Sequence, residues 1–360
     1  MPTEINPAEF LLDLINTDFV REGDDSKARE NAIHNAWTLS SSYQSLKSAV
    51  SSTTSSASPT EKASLSHIIP RNQSPILVPL ALLHRSWIKS YRDVVAYGIR
   101  IAMYLGLAIL MGTVFLRLST SQTSIQPFIN AIFFGSAFMS FMAVAYVPSY
   151  LEDRATFAKE RANGLCGPLA FTIANFLIGL PYLFLIAILF SVVEYWLTNF
   201  HNTAHSFWIW VLWLFLDLVA AESLVVLVSS IFPVFVVALA VTAFANGLWM
   251  CVDGFLVPMG TLNVFWKYVF HYIDYQSYVF QGMMVNEFKD RIYTCAGNAT
   301  SGYHCMYESD LAGVGQIRGT AVLEAFNYHT GLEGTWVGIM VGIIAGYRIL
   351  GYLVLVLKTT

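Results

Sequence analysis

Two cysteines and a glycosylation sequon form the most chemically specific cluster in the 360-residue sequence. Cys295 and Cys305 flank Asn298-Ala299-Thr300, which matches the acceptor pattern for an N-linked glycan. Disulfides persist in oxidising compartments, and N-linked glycans belong to the same non-cytosolic side of a membrane. The sequence therefore favours a bridge between these cysteines within one chain, and it leaves a bridge between two chains or two free thiols open. A second sequon, at Asn72, is expected on the cytoplasmic side and is expected to stay bare.

Several ionisable residues fall inside long apolar runs, and buried charges of this kind are often functional. These residues are Arg100, Asp217, Glu222, Asp253 and Arg348. Burying a charge in hydrocarbon is costly, so each is expected to have a partner or to face water. Arg100 is expected to snorkel to the membrane surface, and Asp217 or Glu222 to pair with Arg348. A proton relay is the alternative use of the same residues.

Motifs of hydrolytic enzymes do not occur in these 360 residues. The sequence has no GxxxxGK[ST] phosphate loop, no HExxH and no GxSxG. We therefore expect no catalytic residue, no metal site and no cofactor within this chain.

The elements that must position these residues are membrane-spanning helices. The composition is 55% hydrophobic and only 12% charged, and several apolar runs exceed the roughly 18 residues that a span needs. The pattern predicts an all-α membrane protein with six spans, at residues 94–116, 127–149, 168–194, 206–229, 234–257 and 336–357. Basic residues precede span 1, separate spans 2 and 3, and follow span 6, which predicts that both termini are cytoplasmic.

The polar parts of the chain have distinct characters. Residues 1–37 open with the amphipathic helix pattern "NPAEFLLDLINTDF", whose apolar side would need a partner. Residues 38–74 are rich in Ser and Thr and are expected to form a flexible linker. Residues 75–93 predict a basic amphipathic helix at the membrane surface. Residues 258–335 form the long external segment, whose aromatic start is expected to re-enter the membrane edge.

Two spans carry a regular pattern of side chains. Phe138, Phe141 and Met142 lie near one apolar stripe of span 2, which by itself indicates only contact with lipid or other helices. Glycines recur at every fourth position of span 6, from Gly334 to Gly346. Small residues at this spacing let helices approach closely. We expect them to pack within the chain, with a dimer face as the alternative.

Separated motifs along nearly the whole chain resemble the G subfamily of eukaryotic ABC half-transporters, the white type. "NPAEFLLDLINTDF" is similar to the segment that follows the nucleotide-binding domain in that family. Residues 152–171 ("EDRATFAKERANGLCGPLAF") resemble the loop that couples to the ATPase, and 179–184 ("GLPYLF") resemble part of span 3. Residues 253–288 resemble the end of span 5 and the re-entrant segment, and the Cys–sequon–Cys loop is similar as well.

This resemblance implies an ABC-2 type membrane domain over residues 75–358, with the fold of a type V exporter, an amphipathic connecting helix and an external loop at 258–335. It implies that spans 2 and 5 of two subunits line a substrate cavity. The implied cavity residues are Phe138, Phe141, Met142, Ala243, Gly247 and Met250. The implied apolar valve above the cavity is Phe255 and Leu256, where a Phe replaces the first Leu of the best-known multidrug member. The implied coupling residues are Asp153, Arg154, Phe157, Lys159 and Glu160.

The implied function is ATP-driven export of apolar or amphipathic small molecules, such as lipids, sterols or xenobiotics. The family carries its nucleotide-binding domain ahead of this region, so ATP, Mg²⁺ and that domain are expected from outside these 360 residues. A fragment, a truncated gene model and a split transporter are all compatible with this. The expected partner is a second half-transporter, identical or not, in a plasma membrane. The alternative function is an ATPase-free membrane scaffold or dominant-negative partner of full-length relatives.

Overall fold

The structure is a computed structural model that describes residues 26–56, 76–92, 97–298 and 302–358. The predicted opening helix and the Asn72 sequon lie outside the described residues. The chain divides into two compact units, Met1–Asn72 and Gln73–Thr360.

The first unit contributes two described helices, α1 (Ser26–Leu39) and α2 (Ser41–Ser56). Residues 38–74 were expected to form a flexible linker, but the structure has the helix α2 within this range. Serine side chains along α2 donate to carbonyls one turn earlier, as Ser48 does to Ser45 at 2.8 Å. These bonds satisfy the hydroxyls inside the helix, although Ser remains a weak helix former.

The second unit is built mainly from helices, most of which are apolar. They are α3 (Leu77–Arg92), α4 (Ile99–Val114), α5 (Ile125–Met142), α6 (Val147–Ala162), α7 (Pro168–Thr198), α8 (Ala204–Ile231) and α9 (Phe235–Val252). Among the described residues, five helical segments are long and apolar enough to cross a membrane, and α4 is a shorter apolar helix of 16 residues. These five segments and α4 coincide with the six predicted spans. The all-α membrane fold is therefore confirmed.

The helix of span 2 extends beyond its predicted bounds, 127–149. A 3-10 turn at Ala143–Tyr146 joins α5 to α6, so one helical rod runs over Gln122–Ala162. Pro148 does not break the rod because it lies in the first turn of α6, where a missing N–H costs no hydrogen bond. The rod therefore carries the implied coupling residues as a direct extension of a membrane span.

The external segment packs on the spans. A helical turn at Val264–Trp266 and a π-helical turn at Lys267–His271 lead into α10 (Tyr275–Phe288), which is almost wholly buried and packs on α8. Two small antiparallel sheets follow, pairing β1 (Ile292–Thr294) with β4 (Gln316–Arg318), and β2 (Ala296–Asn298) with β3 (Gly302–His304). Helices α11 (Gly319–Ala325) and α12 (Glu333–Leu357) complete the unit.

The glycine stripe of α12 faces away from the other helices. A Cβ added at Gly334, Gly338, Gly342 or Gly346 would meet nothing within 4 Å. The expected packing of this stripe inside the chain is therefore wrong. The opposite face of α12 is the buried one, and it carries Arg348 toward α8.

Candidate functional site

The implied cavity residues lie on partly open faces of α5 and α9, which pack against each other. Phe141 is 37% exposed, and Phe138 and Met142 beside it are half-buried. On α9, Ala243, Gly247 and Met250 are also half-buried. The predicted residues of both helices therefore lie on surfaces that the rest of the described chain leaves partly uncovered.

The orientation of α9 follows from its polar residues. Thr242 and Asn246 are fully buried, and the Tyr275 hydroxyl donates to Asn246 Oδ1 at 2.7 Å. Polar groups turned inward leave the apolar side of α9 outward, where Phe244 is 73% exposed. A cavity of about 470 Å³ lies on this side, lined by Phe244, Gly247, Leu248, Cys251, Val252, Leu262 and Trp266. Of the six implied cavity residues, only Gly247 lines it.

The two implied valve residues behave differently. Phe255 stacks on Phe133 of α5 with ring centroids 4.1 Å apart. The turn that carries Phe255 is held because its amide donates to Asp253 Oδ1 at 2.9 Å. Leu256 is 54% exposed and remains available to a partner or a ligand. The described chain therefore fixes the first valve residue and leaves the second free to contact something else.

A buried polar network connects α4, α7, α8 and α12. Arg100 Nη2 of α4 donates to Glu222 Oε2 of α8 at 3.0 Å, and Arg348 Nη2 of α12 lies 4.0 Å from Glu222 Oε1. Arg348 also donates to Asn175 Oδ1 of α7 at 3.1 Å, and the Asn175 amide donates to the Tyr146 hydroxyl at 2.8 Å. The expected pairing of Glu222 with Arg348 is present as a longer contact.

The prediction that Arg100 snorkels to the membrane surface is wrong. Its side chain is 7% exposed, and its guanidinium lies 4.8 Å from the centre of the Tyr146 ring. Glu222 provides the opposite charge inside the bundle, so Arg100 does not need to reach the surface. Asp217 accepts from Ser140 at 2.7 Å and joins no ion pair among the described residues.

Three buried acids were not identified from the sequence: Glu194, Asp274 and Glu287. Glu194 of α7 is fully buried, and among the described residues neither of its carboxyl oxygens has a hydrogen-bond partner. Its carboxyl group packs against Gly135 of α5, where an added Cβ would lie 2.6 Å from Oε1. Glu222 makes the same kind of contact, with Gly179 of α7. Glu194 was placed at the last residue of predicted span 3, but α7 continues to Thr198 and carries it inside.

The implied coupling residues form a contact between α3 and α6. Lys89 Nζ donates to Asp153 Oδ1 at 2.8 Å, and Arg85 forms an ion pair with Glu160. Phe157 is buried and stacks on Phe171 of α7 at 4.5 Å.

The other two coupling residues point away from α3. Arg154 Nη1 donates to the Ser229 carbonyl of α8 at 3.1 Å, and Lys159 is exposed. Of the five implied coupling residues, Asp153 and Glu160 therefore clamp α3 and Phe157 belongs to the core.

The external layer holds the cysteines. The structure joins Cys295 to Cys305 within the chain, with their Cα atoms 4.8 Å apart. Asn298 lies at the end of β2, and the rest of its sequon lies outside the described residues. Nearby, Glu287 forms an ion pair with Arg291 and accepts from the His201 amide at 2.8 Å. Among the described residues, no group of His, Cys, Asp and Glu is placed to hold a metal ion.

Comparison with known proteins agrees with this architecture. Residues 80–288 match the family model described as ABC-2 type transporter. The chain is 30% identical over 297 residues to "ABC transporter G family member 1" of Petunia hybrida, covering 80% of this chain and 46% of that protein. It is 30% identical over 225 residues to "ABC transporter G family member 11" of Arabidopsis thaliana, covering 62% of this chain and 32% of that protein. It is 25% identical over 259 residues to "Brefeldin A resistance protein" of Schizosaccharomyces pombe, covering 69% of this chain and 17% of that protein.

The spans and the rod define an integral membrane protein of the transporter class. The chain belongs to the ABC-2 type transporter family, and its relatives include G-family ABC transporters of plants. It spans less than half the length of these relatives.

Proposed function

We propose that this chain is the membrane-spanning part of an ATP-driven exporter of apolar or amphipathic small molecules. The observation that carries the proposal is the apolar surface of α5 and α9, left open while their polar residues turn inward. Two such surfaces facing each other would enclose a cavity that solvates apolar compounds. Lipids, sterols and xenobiotics fit this chemistry, and the name of the yeast relative, "Brefeldin A resistance protein", favours xenobiotics.

The proposed assembly is a dimer with a second G-family half-transporter. A single copy exposes Phe244 of α9 and Leu256 of the proposed valve, and Phe244 also lines the open apolar cavity of α9. The second copy would cover them and complete the valve.

The proposed coupling runs along the rod of α5 and α6. A nucleotide-binding domain, with ATP and Mg²⁺, would act on α6, where Lys89 holds Asp153 and Arg85 holds Glu160. Because α6 continues into α5, a displacement of the clamp would tilt the cavity wall without an intervening loop. The plasma membrane, with both termini cytoplasmic, is the proposed location.

Two glycine positions allow a matched test of the cavity. A Cβ at Gly247 or at Gly338 meets nothing within 4 Å, so a larger residue fits at both positions in a single chain. Gly247 lines the apolar cavity of α9, and Gly338 lies on the open face of α12.

We expect Gly247→Leu to abolish efflux of apolar dyes from cells that also express a G-family nucleotide-binding domain, and Gly338→Leu to retain it. Surface expression of both variants is the control for folding. Equal efflux by Gly247→Leu and wild type would overturn the assignment of the cavity.

The proposed topology has its own test. N-glycosidase treatment should increase the gel mobility of the wild-type protein and leave Asn298→Gln unchanged, because Asn298 is proposed to face outward. An Asn72→Gln variant should shift as wild type does. A shift that persists in Asn298→Gln and is lost in Asn72→Gln would invert the topology.

A further inference from the structure

We propose that a cationic cavity between α6 and the ends of α8 and α12 binds the phosphate headgroup of an anionic phospholipid. The cavity measures about 500 Å³. Its residues are Leu151, Arg154, Ala155, Phe157, Ala158, Arg161, Ala162, Pro233, Leu355 and Lys358. The lining has three cations and no acidic residue among the described side chains.

The charges of α6 are sorted onto two faces. Asp153 and Glu160, seven positions apart, pair with α3. Arg154 and Arg161 are also seven positions apart, and each directly follows one of these acids. They therefore lie on the neighbouring face of α6, where they line the cavity. Neither arginine has a carboxylate partner among the described residues. The acids that could neutralise them are already engaged with Arg85 and Lys89.

The three cations are held at the ends of two spans by backbone carbonyls. Arg154 donates to Ser229 at 3.1 Å, Arg161 Nη2 donates to Val356 at 3.2 Å, and Lys358 donates to the last carbonyls of α8. Cations at helix C-termini are favourable by themselves. However, a guanidinium has five N–H donors, and the single bond of Arg154 leaves most of its donors available to a further acceptor.

The remaining lining favours a lipid over a soluble anion. Leu151, Phe157 and Leu355 provide apolar walls beside the cations. A phosphate held by the arginines would place its acyl chains along these walls and the spans that carry them. Basic pockets between spans are typical sites for anionic headgroups, and arginine matches phosphate in bidentate geometry.

The test is lipid binding to the purified full chain in zwitterionic detergent, measured by native mass spectrometry without ATP or transport substrate. The probes are phosphatidylserine and phosphatidylinositol, with phosphatidylcholine as the neutral reference. We expect tighter binding of the anionic lipids. Arg154→Gln and Arg161→Gln should each weaken it by about fivefold, the factor for about 1 kcal/mol per basic residue. Arg154→Lys keeps the charge but loses the bidentate geometry, so it should weaken binding less than Arg154→Gln does.

Arg92→Gln is the matched control, because it removes one exposed charge from α3 outside the cavity and should leave binding unchanged. Equal binding of neutral and anionic lipids, or equal losses at Arg92 and Arg154, would overturn the proposal. Competition by millimolar inorganic phosphate would assign the site to a soluble anion. Displacement of the lipid by an assembled nucleotide-binding domain would make the cavity a protein interface. Because no transport is measured, the result is independent of the proposed export.

Discussion

The buried ion network makes an asymmetric prediction about stability. With an effective dielectric constant of about 20, the Coulomb attraction is about 5.5 kcal/mol for Arg100–Glu222 at 3.0 Å and about 4 kcal/mol for Arg348–Glu222 at 4.0 Å. Desolvation offsets much of this, and breaking a buried pair costs about 3–5 kcal/mol. Glu222→Gln removes the acid from both contacts and leaves two cations uncompensated. Arg100→Met leaves Glu222 and Arg348 as a neutral pair.

We therefore expect Glu222→Gln to be the more destabilising of the two variants. A loss of about 3–5 kcal/mol corresponds to a fall in Tm of about 6–20 °C, at about 2–4 °C per kcal/mol for a domain of about 150–250 residues. The assay is thermal unfolding in detergent, followed by the fluorescence of the 9 tryptophans.

The control for this experiment is an acid in an exposed pair. Glu333 lies 4.0 Å from Lys289 at the surface, and exposed pairs contribute only about 0.2–1 kcal/mol. Glu333→Gln should therefore unfold close to wild type. If Arg100→Met is less stable than Glu222→Gln, or if Glu222→Gln matches Glu333→Gln, the network does not hold the spans together as argued.

Three further predictions address other parts of the fold. Gly135→Ala should cost about 1–3 kcal/mol of overpacking, because its Cβ would lie 2.6 Å from Glu194 Oε1. Gly338→Ala, in open space, should be neutral or stabilising, and equal effects of the two substitutions on Tm would refute the close contact. Burial raises the pKa of Glu287 from 4.5 to about 7, although its neighbouring arginine and the amide donor oppose the shift. When the pKa of a group is higher in the folded state, its contribution to stability is fully present below the unfolded-state pKa. That contribution is lost as the pH rises through the folded-state pKa. The Tm of wild type minus that of Glu287→Gln should therefore fall between about pH 4.5 and about pH 7, and a constant or rising difference would contradict this. Replacing Cys295 by Ser should lower the free energy of unfolding by about 3 kcal/mol, because the disulfide restricts the unfolded chain by closing a loop. An unchanged Tm would show that the bridge does not stabilise this loop.

The spans were predictable because a helix that crosses the bilayer needs a long apolar run, and such runs can be read directly from the sequence. Their inner organisation was less accessible. Arg100 was expected at the surface because its partner Glu222 lies on a distant helix, and no local pattern identifies that pairing. Glu194 lay at the last residue of predicted span 3, and its burial depends on packing against Gly135 of α5, which is distant in sequence. Neither fact follows from hydropathy.

The site was predictable to the extent that it depends on the resemblance to a family. The sequence placed Gly247 and Phe255 in span 5, and the structure gives them different surroundings, an open apolar cavity and a stacked aromatic cluster. The glycine stripe of α12 illustrates the converse. Its spacing fits close helix packing. However, α12 packs on α8 through the face that carries Arg348, so those glycines lie on the outer face. A repeat in sequence defines a face, and the rest of the fold decides what that face contacts.

The most direct test of the proposed export is ATP-dependent uptake of a fluorescent apolar compound into inside-out membrane vesicles. The vesicles contain this chain together with a G-family nucleotide-binding domain, or with the same domain carrying a substitution that abolishes hydrolysis. We predict uptake with ATP and the active domain, and none with the inactive domain or without this chain. Uptake that is absent with the active domain, or that is the same with the inactive one, would contradict the proposal that this chain is the membrane part of an ATP-driven exporter.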